Sequence, residues 1–174
     1  VPWQHAARMS GAELAILRPD AQGRVHVDDL RALLTPRTRV LALTAGANAT
    51  GERPPYEEML ALARAAGALT VLDAAQAVGH AMPGLAQLEC DFMAFSGHKM
   101  YGPMGTGALA GRRAALELLH PLRLGGDMVE LVSYESAGWA ALPARLEGGT
   151  PNVAGAVGLA AAAQFIADVG RGAI

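Results

Sequence analysis

The sequence predicts an α/β fold with a mostly parallel sheet and flanking helices. Two observations lead to this class: short apolar runs recur along the chain, and segments with a helical pattern separate most of them. Parallel strands of this kind are buried on both faces and read as continuous apolar runs. The length of 174 residues suits one domain with a sizeable core.

The first half of the chain contains four predicted elements. Residues 12–18 are predicted to form a short strand that ends at a polar turn. Residues 27–34 are predicted to form a short helix, because an acidic pair suits its first turn. Residues 38–44 have the pattern of a buried strand. Residues 54–66 are predicted to form a helix that two prolines begin and a glycine ends.

The second half continues the alternation. Two helices are predicted, a short one over residues 112–119 and a long Ala-rich one over residues 152–169. Residues 125–149 are the least regular region and are predicted to protrude as a loop or hairpin. Three more apolar runs are predicted strands: residues 69–74, 91–95 and 105–110.

Composition excludes several classes of protein. The formal net charge is −2 with no basic patch or acidic tail, which argues against nucleic acid and anionic membranes as partners. A single cysteine excludes an internal disulfide framework and indicates a reducing compartment, so a cytoplasmic location is expected. The longest apolar stretch, residues 153–163, is too short to span a bilayer. The histidines lack metal-ligand spacing, so no metal site is expected.

The beginning of the chain suggests a segment of a longer protein. It starts Val-Pro-Trp-Gln, without an initiator methionine or a signal peptide. The hydrophobic fraction of 52% is slightly high for a free-standing domain. We therefore expect an internal piece of a longer soluble protein.

Lys99 is the only lysine in the chain, and every other residue in the lysine-plus-arginine count is an arginine. A primary amine can lose its proton and form a Schiff base, whereas a guanidinium cannot. On count alone, chance loss of lysine in an Arg-rich chain explains the observation equally well. The residues around Lys99 favour the functional interpretation.

Polar side chains follow three of the predicted strands at their carboxyl ends, where ligands bind in α/β sheets. Asn48 follows the strand over residues 38–44, and Asp73 ends the next strand with Gln76 three residues later. Ser-Gly-His-Lys, ending at Lys99, follows the strand over residues 91–95. A pyridoxal phosphate site needs these types: an acid to keep the pyridine nitrogen protonated, a lysine for the Schiff base, and small hydroxyl and amide donors.

Three strings taken together resemble a known family. They are D-A-A-Q-A-V from position 73, D-F-x-A-F-S-G-H-K-x-Y-G-P-x-G-x-G from position 91, and E-G-G-T-P-N-V-A-G from position 147. The set resembles the group II cysteine desulfurases and selenocysteine lyases, within the class V aminotransferase branch of fold-type-I pyridoxal phosphate enzymes. The resemblance covers nearly the whole chain. It implies that residues 1–174 are an incomplete pyridoxal-phosphate-binding large domain, with an N-terminal segment and a C-terminal small domain lying outside them.

The resemblance also implies a role for each candidate site residue. Lys99 would form the Schiff base with pyridoxal 5'-phosphate and move a proton at the substrate α-carbon. Asp73 would pair with the pyridine nitrogen, and Gln76 would donate to the phenolic oxygen. The remaining contacts would be Ser96 and His98 to the phosphate, Asn48 to the ring oxygen or the substrate carboxylate, and Thr150 to the phosphate of the neighbouring subunit in a homodimer.

Each of these residues other than Ser96 and Lys99 has a structural alternative. Asp73 could cap a following helix, and Gln76 could be a solvated residue of that helix's first turn. His98 could be a core histidine with its hydrogen bonds satisfied. Asn48 could be a turn residue in the left-handed conformation. Thr150 could belong to the N-cap region of the helix after it.

The chain departs from the family pattern in two respects. Ala47 stands where the family has a serine, which removes a hydroxyl near the site. The family's ring-stacking histidine and a phosphate-binding threonine lie upstream of the first residue, and its sulfur-accepting cysteine and carboxylate-binding arginine lie downstream of the last. Cys90 aligns with a cysteine often found before the D-F strand and is expected to be structural.

The resemblance implies a parent enzyme that converts L-cysteine, or selenocysteine, to alanine and leaves the sulfur or selenium on an enzyme thiol, for Fe-S clusters or a sulfur-acceptor protein. Two alternatives stay open. One is another class V pyridoxal phosphate enzyme, such as an aminotransferase or an epimerase. The other is an inactive truncated remnant that serves only as an interaction domain. The chain by itself is expected to be inactive.

Overall fold

A four-stranded sheet organises the computed structural model, which describes residues 1–80 and 82–174, without the side chain of Leu85. The strand order is β1-β2-β3-β4, and β1, β2 and β3 run parallel while β4 is antiparallel to β3. The mostly parallel α/β sheet expected from the sequence is confirmed. The strands are β1 Val40–Thr44, β2 Leu69–Asp73, β3 Phe92–Ser96 and β4 Gly107–Gly111.

The described residues contain six α-helices. The helix α3 packs against β1 and β2, and the long helix α6 follows the protruding region. The helices are α1 Pro2–Ser10, α2 Val27–Leu33, α3 Tyr56–Ala65, α4 Leu85–Leu88, α5 Arg113–Leu116 and α6 Val153–Val169. Within residues 1–80 and 82–174, no helix has the length and hydropathy needed to cross a bilayer.

The core lies on one face of the sheet, beneath α3. Leu72 and Leu60 are almost completely buried there, together with Tyr56 at the start of α3. A second cluster joins α2 to the sheet through Leu30 and Leu41. This burial removes apolar surface from water and fixes the helices over the strands.

Buried hydrogen bonds set the register of β2 against β3 at their amino ends. The Asp91 carboxylate accepts from the backbone N–H and from the hydroxyl of Thr70, both at 2.8 Å. The backbone N–H of Asp91 donates to the Thr70 hydroxyl oxygen at 2.9 Å. Thr70 is fully buried, so losing one partner would leave a polar group unsatisfied in the core.

The protruding region expected over residues 125–149 contains an antiparallel hairpin of β5 Val129–Val132 and β6 Ala137–Trp139. A 3-10 helix, Ala144–Leu146, follows the hairpin. The hairpin's outer side chains are largely exposed, including Leu131 and Tyr134. The prediction of a hairpin that protrudes is confirmed.

Two expectations for local structure were wrong, and one helix was not expected. Residues 12–18 form no strand; Leu14 and Ile16 are exposed, and no described neighbour pairs with this segment. The helix α1 was not predicted, although a proline begins it and Gly11 ends it in the left-handed conformation. The helix predicted over residues 112–119 is shorter, because its last amides bond to carbonyls three residues back in a tightened turn.

Candidate functional site

The carboxyl ends of β1, β2 and β3 meet at one edge of the sheet, which we term the carboxyl edge. The register places Thr44 opposite Asp73, and Asp73 opposite Ala94. Neighbouring strands lie about 4.8 Å apart. Ser96, two residues after Ala94, therefore lies on the same face of the sheet as Asp73. Asp73 occupies the middle of this edge.

Asp73 caps the turn that follows it with only one of its carboxylate oxygens. Oδ1 accepts from the backbone N–H of Ala75 at 2.9 Å. Oδ2 has no hydrogen-bond partner among the described residues, and the side chain is exposed. Residues 75–79 form turns rather than a helix, so Asp73 is not the cap of a regular helix. One carboxylate oxygen remains available to a ligand.

An open depression of about 540 Å³ lies against this edge. Its floor is apolar, formed by Val71 and Ala94 with their neighbours, while Asp73 and Ser96 supply polar groups at the strand ends. Trp3, from the first turn of α1, forms one wall. A flat heteroaromatic ring fits an apolar floor with an acid at its edge, because only the ring nitrogen then needs a polar partner.

Asn48 and Gln76 are brought together from two different strand ends. The Gln76 Nε2 donates to the Asn48 Oδ1, which links the loops after β1 and β2. Gln76 is half-buried and lies in a turn rather than in the first turn of a helix. Asn48 is absent from the residues with positive φ, so its interpretation as a left-handed turn residue is wrong. The two amides form one polar unit at the carboxyl edge.

Ser96, His98 and Lys99 follow one another at the end of β3. Ser96 is the last residue of the strand, and Gly97–Lys99 form a single 3-10 turn. His98 is exposed, so its interpretation as a core histidine is wrong. Lys99 is also exposed, and its side chain makes no hydrogen bond or ion pair within the described residues. Both side chains are free to contact a ligand.

Thr150 is exposed between the hairpin region and α6. Like Asn48, Gln76, His98 and Lys99, it does not line the depression, which only Asp73 and Ser96 of the candidates do. The cap of α6 is instead Asn152, whose Oδ1 accepts from the backbone N–H of Gly155 at 2.9 Å. Thr150 precedes this N-cap by two residues, so it lies in the N-cap region, as the alternative held, without being the cap itself.

Cys90 lies at the other end of β3 from Lys99. It precedes the strand, is 1% exposed, and packs in the main core cluster. Burial raises the pKa of the Cys90 thiol, so the reactive thiolate is disfavoured. These observations agree with a structural role.

Two residues at the depression escaped the sequence analysis. Trp3 was missed because α1 itself was not predicted, although the proline at its start was a usable signal. Thr44 was noted only as a strand residue, yet it faces Asp73 across the ladder. Its hydroxyl donates to the carbonyl of Gly46 at 2.7 Å, which no sequence pattern reveals.

Metal ligands are not grouped at this edge or elsewhere in the described part of the chain, where no three His, Cys, Asp or Glu side chains could hold one ion. The chemistry available here is that of an amine, a carboxylate, a hydroxyl, an imidazole and two amides. This donor set suits a phosphorylated heteroaromatic cofactor with an aldehyde.

Comparisons with known proteins point to one family. The family described as Aminotransferase class-V matches residues 1–174. A probable cysteine desulfurase of Pseudomonas putida is 45% identical over the whole chain, which corresponds to 43% of that protein. The curated relatives are thus matched over less than half of their own length.

Solved structures give the same result. The cysteine desulfurase CsdA from Escherichia coli superimposes with a TM-score of 0.94 and 42% identity, covering 99% of this chain and 43% of that one. The apo cysteine desulfurase from Thermococcus onnurineus gives a TM-score of 0.92 and 35% identity, covering 97% of this chain and 42% of that one.

Proposed function

This chain belongs to the class-V aminotransferase family, and from that premise we propose that its carboxyl edge binds pyridoxal 5'-phosphate within a cysteine desulfurase. Residues 1–174 would form part of the cofactor-binding large domain of the complete protein. The observation that carries the proposal is the register that places Asp73 beside the strand whose end bears Lys99. An acid and an amine are the two groups this cofactor requires of its protein.

Different residues of the chain would contact different parts of the cofactor. Asp73, through its unoccupied oxygen, would keep a proton on the ring nitrogen. The linked amides of Asn48 and Gln76 would donate to the ring oxygen. Ser96 and His98 would bind the phosphate, since a hydroxyl and an imidazole N–H can both donate to its oxygens. The apolar floor at Val71 and Ala94 would exclude water from the ring face.

Bound pyridoxal phosphate supplies an electron sink that weakens bonds around the α-carbon of an amino acid. Lys99 would anchor the cofactor through its amine and, once released, would carry a proton to and from the substrate α-carbon. An exposed amine that has no partner within residues 1–80 and 82–174 is free for both tasks.

We propose L-cysteine, or selenocysteine, as the substrate class. The carbon–sulfur bond of cysteine would break, the sulfur would pass to a thiol as a persulfide, and the carbon skeleton would leave as alanine. Cys90 is the chain's only cysteine and lies in the core, so the accepting thiol would come from outside these 174 residues. We also propose that the complete protein is a cytoplasmic homodimer, in which Thr150 reaches the phosphate site of the partner subunit. A separate protein would accept the sulfur.

The decisive experiment detects covalent attachment of the cofactor to the Lys99 amine. The complete protein mixed with pyridoxal phosphate is expected to become yellow, and borohydride is expected to fix the cofactor on the peptide that contains Lys99. Lys99→Arg serves as the control, because it keeps the positive charge but removes the reactive amine. The same reducible adduct in Lys99→Arg would contradict the proposal.

Product analysis separates the desulfurase from the other members of its branch. Cysteine is expected to yield alanine and, with a reductant, sulfide in equal amounts. An oxo acid without sulfide would favour an aminotransferase, and inversion of the α-carbon without either product would favour an epimerase. A protein that binds the cofactor but transforms no amino acid would favour an inactive interaction domain.

A further inference from the structure

The loop that carries Lys99, residues 97–106 (the lysine loop), is tied at both ends. The backbone N–H of Gly97 donates to the carbonyl of Thr106 at 2.8 Å. The carbonyl of Gly97 in turn accepts from Met100 and from Gly102, at 3.0 and 2.9 Å. Because the Lys99 side chain has no partner in the described residues, the position of its amine depends on this backbone.

The Thr106 side chain fills the space between the lysine loop and α6. Its hydroxyl donates to the carbonyl of Pro103 at 2.6 Å. A Cβ atom added at Gly97 would overlap that hydroxyl oxygen. On the other side, a Cβ added at Gly155 would lie 2.6 Å from the Thr106 Cγ2. Thr106 is therefore in close contact with two backbones that can approach it only as glycine.

Further contacts from α6 close over the same loop. A Cβ at Gly102 would lie 3.0 Å from the Leu159 Cδ1. A Cβ at Gly158 would lie 2.5 Å from the Pro103 Cγ. The lysine loop is thus packed directly on the first two turns of α6, and Thr106 lies at the centre of that contact.

We propose that Thr106 is a positioning residue for Lys99: by filling the gap between Gly97 and Gly155, it fixes the lysine loop on α6 and so sets the reach of the amine. The inference rests on the proposed function, since it concerns the reaction of Lys99 with pyridoxal phosphate. The shape of the Thr106 side chain is the property that matters, because close contacts on two sides leave no room for another placement.

The test uses the complete protein and two measurements. The first is the dissociation constant of 4-deoxypyridoxine 5-phosphate, which lacks the aldehyde and reports the cofactor site without the amine. The second is the rate at which pyridoxal phosphate becomes attached to Lys99, sampled with borohydride and located by mass spectrometry. Only the second measurement depends on where the amine lies.

Thr106→Ala is expected to slow attachment about ten-fold, because a small displacement of a reacting group has a large effect on rate. The analogue's dissociation constant is expected to change less than about two-fold, since no group assigned to the ring or phosphate is removed. Thr106→Val keeps the branched shape but removes the hydrogen bond to the Pro103 carbonyl, so it is expected to react more slowly than the wild type and faster than Thr106→Ala. Gly172→Ala, where an added Cβ meets nothing within 4 Å, is the control for a Gly-to-Ala change.

A second pair of variants tests the contact between Gly97 and Thr106 independently. Gly97→Ala is expected to slow attachment, and the double variant Gly97→Ala with Thr106→Ala is expected to be faster than Gly97→Ala, because the overlapping hydroxyl is gone. Unchanged attachment in Thr106→Ala would overturn the inference. So would a parallel loss of stability, analogue binding and attachment rate, which would show a purely structural residue. If the wild type itself neither binds the analogue nor reacts at Lys99, the proposed function fails instead.

Discussion

At the residue scale, the most important observation is that the two carboxylate oxygens of Asp73 can serve different purposes. One carboxylate oxygen holds the local turn through Ala75, and the other is unoccupied among the described residues. The same side chain can therefore serve the fold and a ligand at once, which explains why its capping and cofactor roles need not exclude each other.

Asp73→Asn separates those two roles. The amide oxygen can still accept from the Ala75 N–H, so the free energy of unfolding is expected to change by less than about 0.5 kcal/mol. Cofactor is expected to remain bound, while turnover of cysteine by the complete protein falls about a hundred-fold or more, because the anionic partner of the ring nitrogen is lost. Near-normal kcat in Asp73→Asn would mean that the residue only caps its turn.

Cys90 gives a prediction on pH. Because burial raises the pKa of this thiol above its ordinary value, the folded state prefers the protonated form. The unfolded chain loses this proton first, so the stabilisation is complete below the ordinary thiol pKa and is lost as pH rises through the folded value. Wild type is expected to lose more stability than Cys90→Ala between pH 7 and an alkaline pH above about 9. Equal losses in urea unfolding of the two proteins would contradict this.

Part of the candidate site could be predicted from the sequence alone. Asn48, Asp73, Gln76 and Ser96 could be anticipated because each follows an apolar run that ends at the same edge. The bond between Asn48 and Gln76 could not, since it joins residues whose distance depends on how two loops fold back. The packing of Thr106 could not be predicted either, because it depends on Gly155, which is distant in sequence.

At the element scale, the capping of α6 allows Thr150 to be tested without ambiguity. Asn152→Ala removes the acceptor for the Gly155 N–H and is expected to cost about 1 kcal/mol of stability. Thr150→Ala is expected to leave stability within about 0.5 kcal/mol, because its side chain makes no hydrogen bond in the described part of the chain. In the complete protein, however, Thr150→Ala should release cofactor faster if the residue reaches the partner's phosphate site.

Both properties are measured on the same samples, by urea unfolding and by the rate of cofactor loss during dialysis. If Thr150→Ala retains cofactor as the wild type does, the proposed contact across the dimer is wrong. If it destabilises the fold as much as Asn152→Ala does, the assignment of the cap is wrong.

Helices and strands were predictable where the apolar pattern of the sequence agrees with the packing of the core. The strands β1, β2 and β3 are continuous apolar runs that the core requires, so sequence and structure coincide there. Residues 12–18 have an equally apolar pattern but no strand beside them, and an apolar run without a pairing partner does not become a strand. The helix α1 was overlooked because none of its residues is buried.

At the scale of the whole molecule, exposed apolar side chains mark surfaces without partners in this chain. Leu131 is 74% exposed and Val132 65% exposed on the hairpin, and Val157 is 66% exposed on α6. Large apolar side chains exposed to this extent are often found at interfaces. It agrees with our proposal that the complete protein is a homodimer.

Residues 1–174 expressed alone are expected not to desulfurate cysteine. The only thiol is buried in the core, so no nucleophile in the chain can receive the sulfur. Sulfide and alanine are measured after adding pyridoxal phosphate and cysteine, with the complete protein as the positive control. Turnover that requires Lys99 and disappears in Cys90→Ser would refute the structural assignment of this cysteine.

The complete protein is expected to be a two-fold symmetric dimer at assay concentration, which light scattering measures directly. Leu131→Lys on the hairpin is expected to weaken association without unfolding the chain, because the side chain already lies in solvent here. A fully active monomer would contradict the assignment of Thr150 to a partner's site.

The pair of Thr70 and Asp91 lies at the amino ends of β2 and β3, whereas Asp73 is the last residue of β2 and Lys99 follows β3. The five residues of β3 that separate Asp91 from Lys99 span about 16 Å, which is farther than substitutions usually influence each other, and Thr70 and Asp73, three residues apart, are separated by about 10 Å, at the edge of that range. Evolution can therefore alter the reaction at one end of the sheet while stability is adjusted at the other. Changes such as Ala47 could accumulate beside the site without a matching revision of the core, and a single scaffold could give rise to enzymes of differing chemistry.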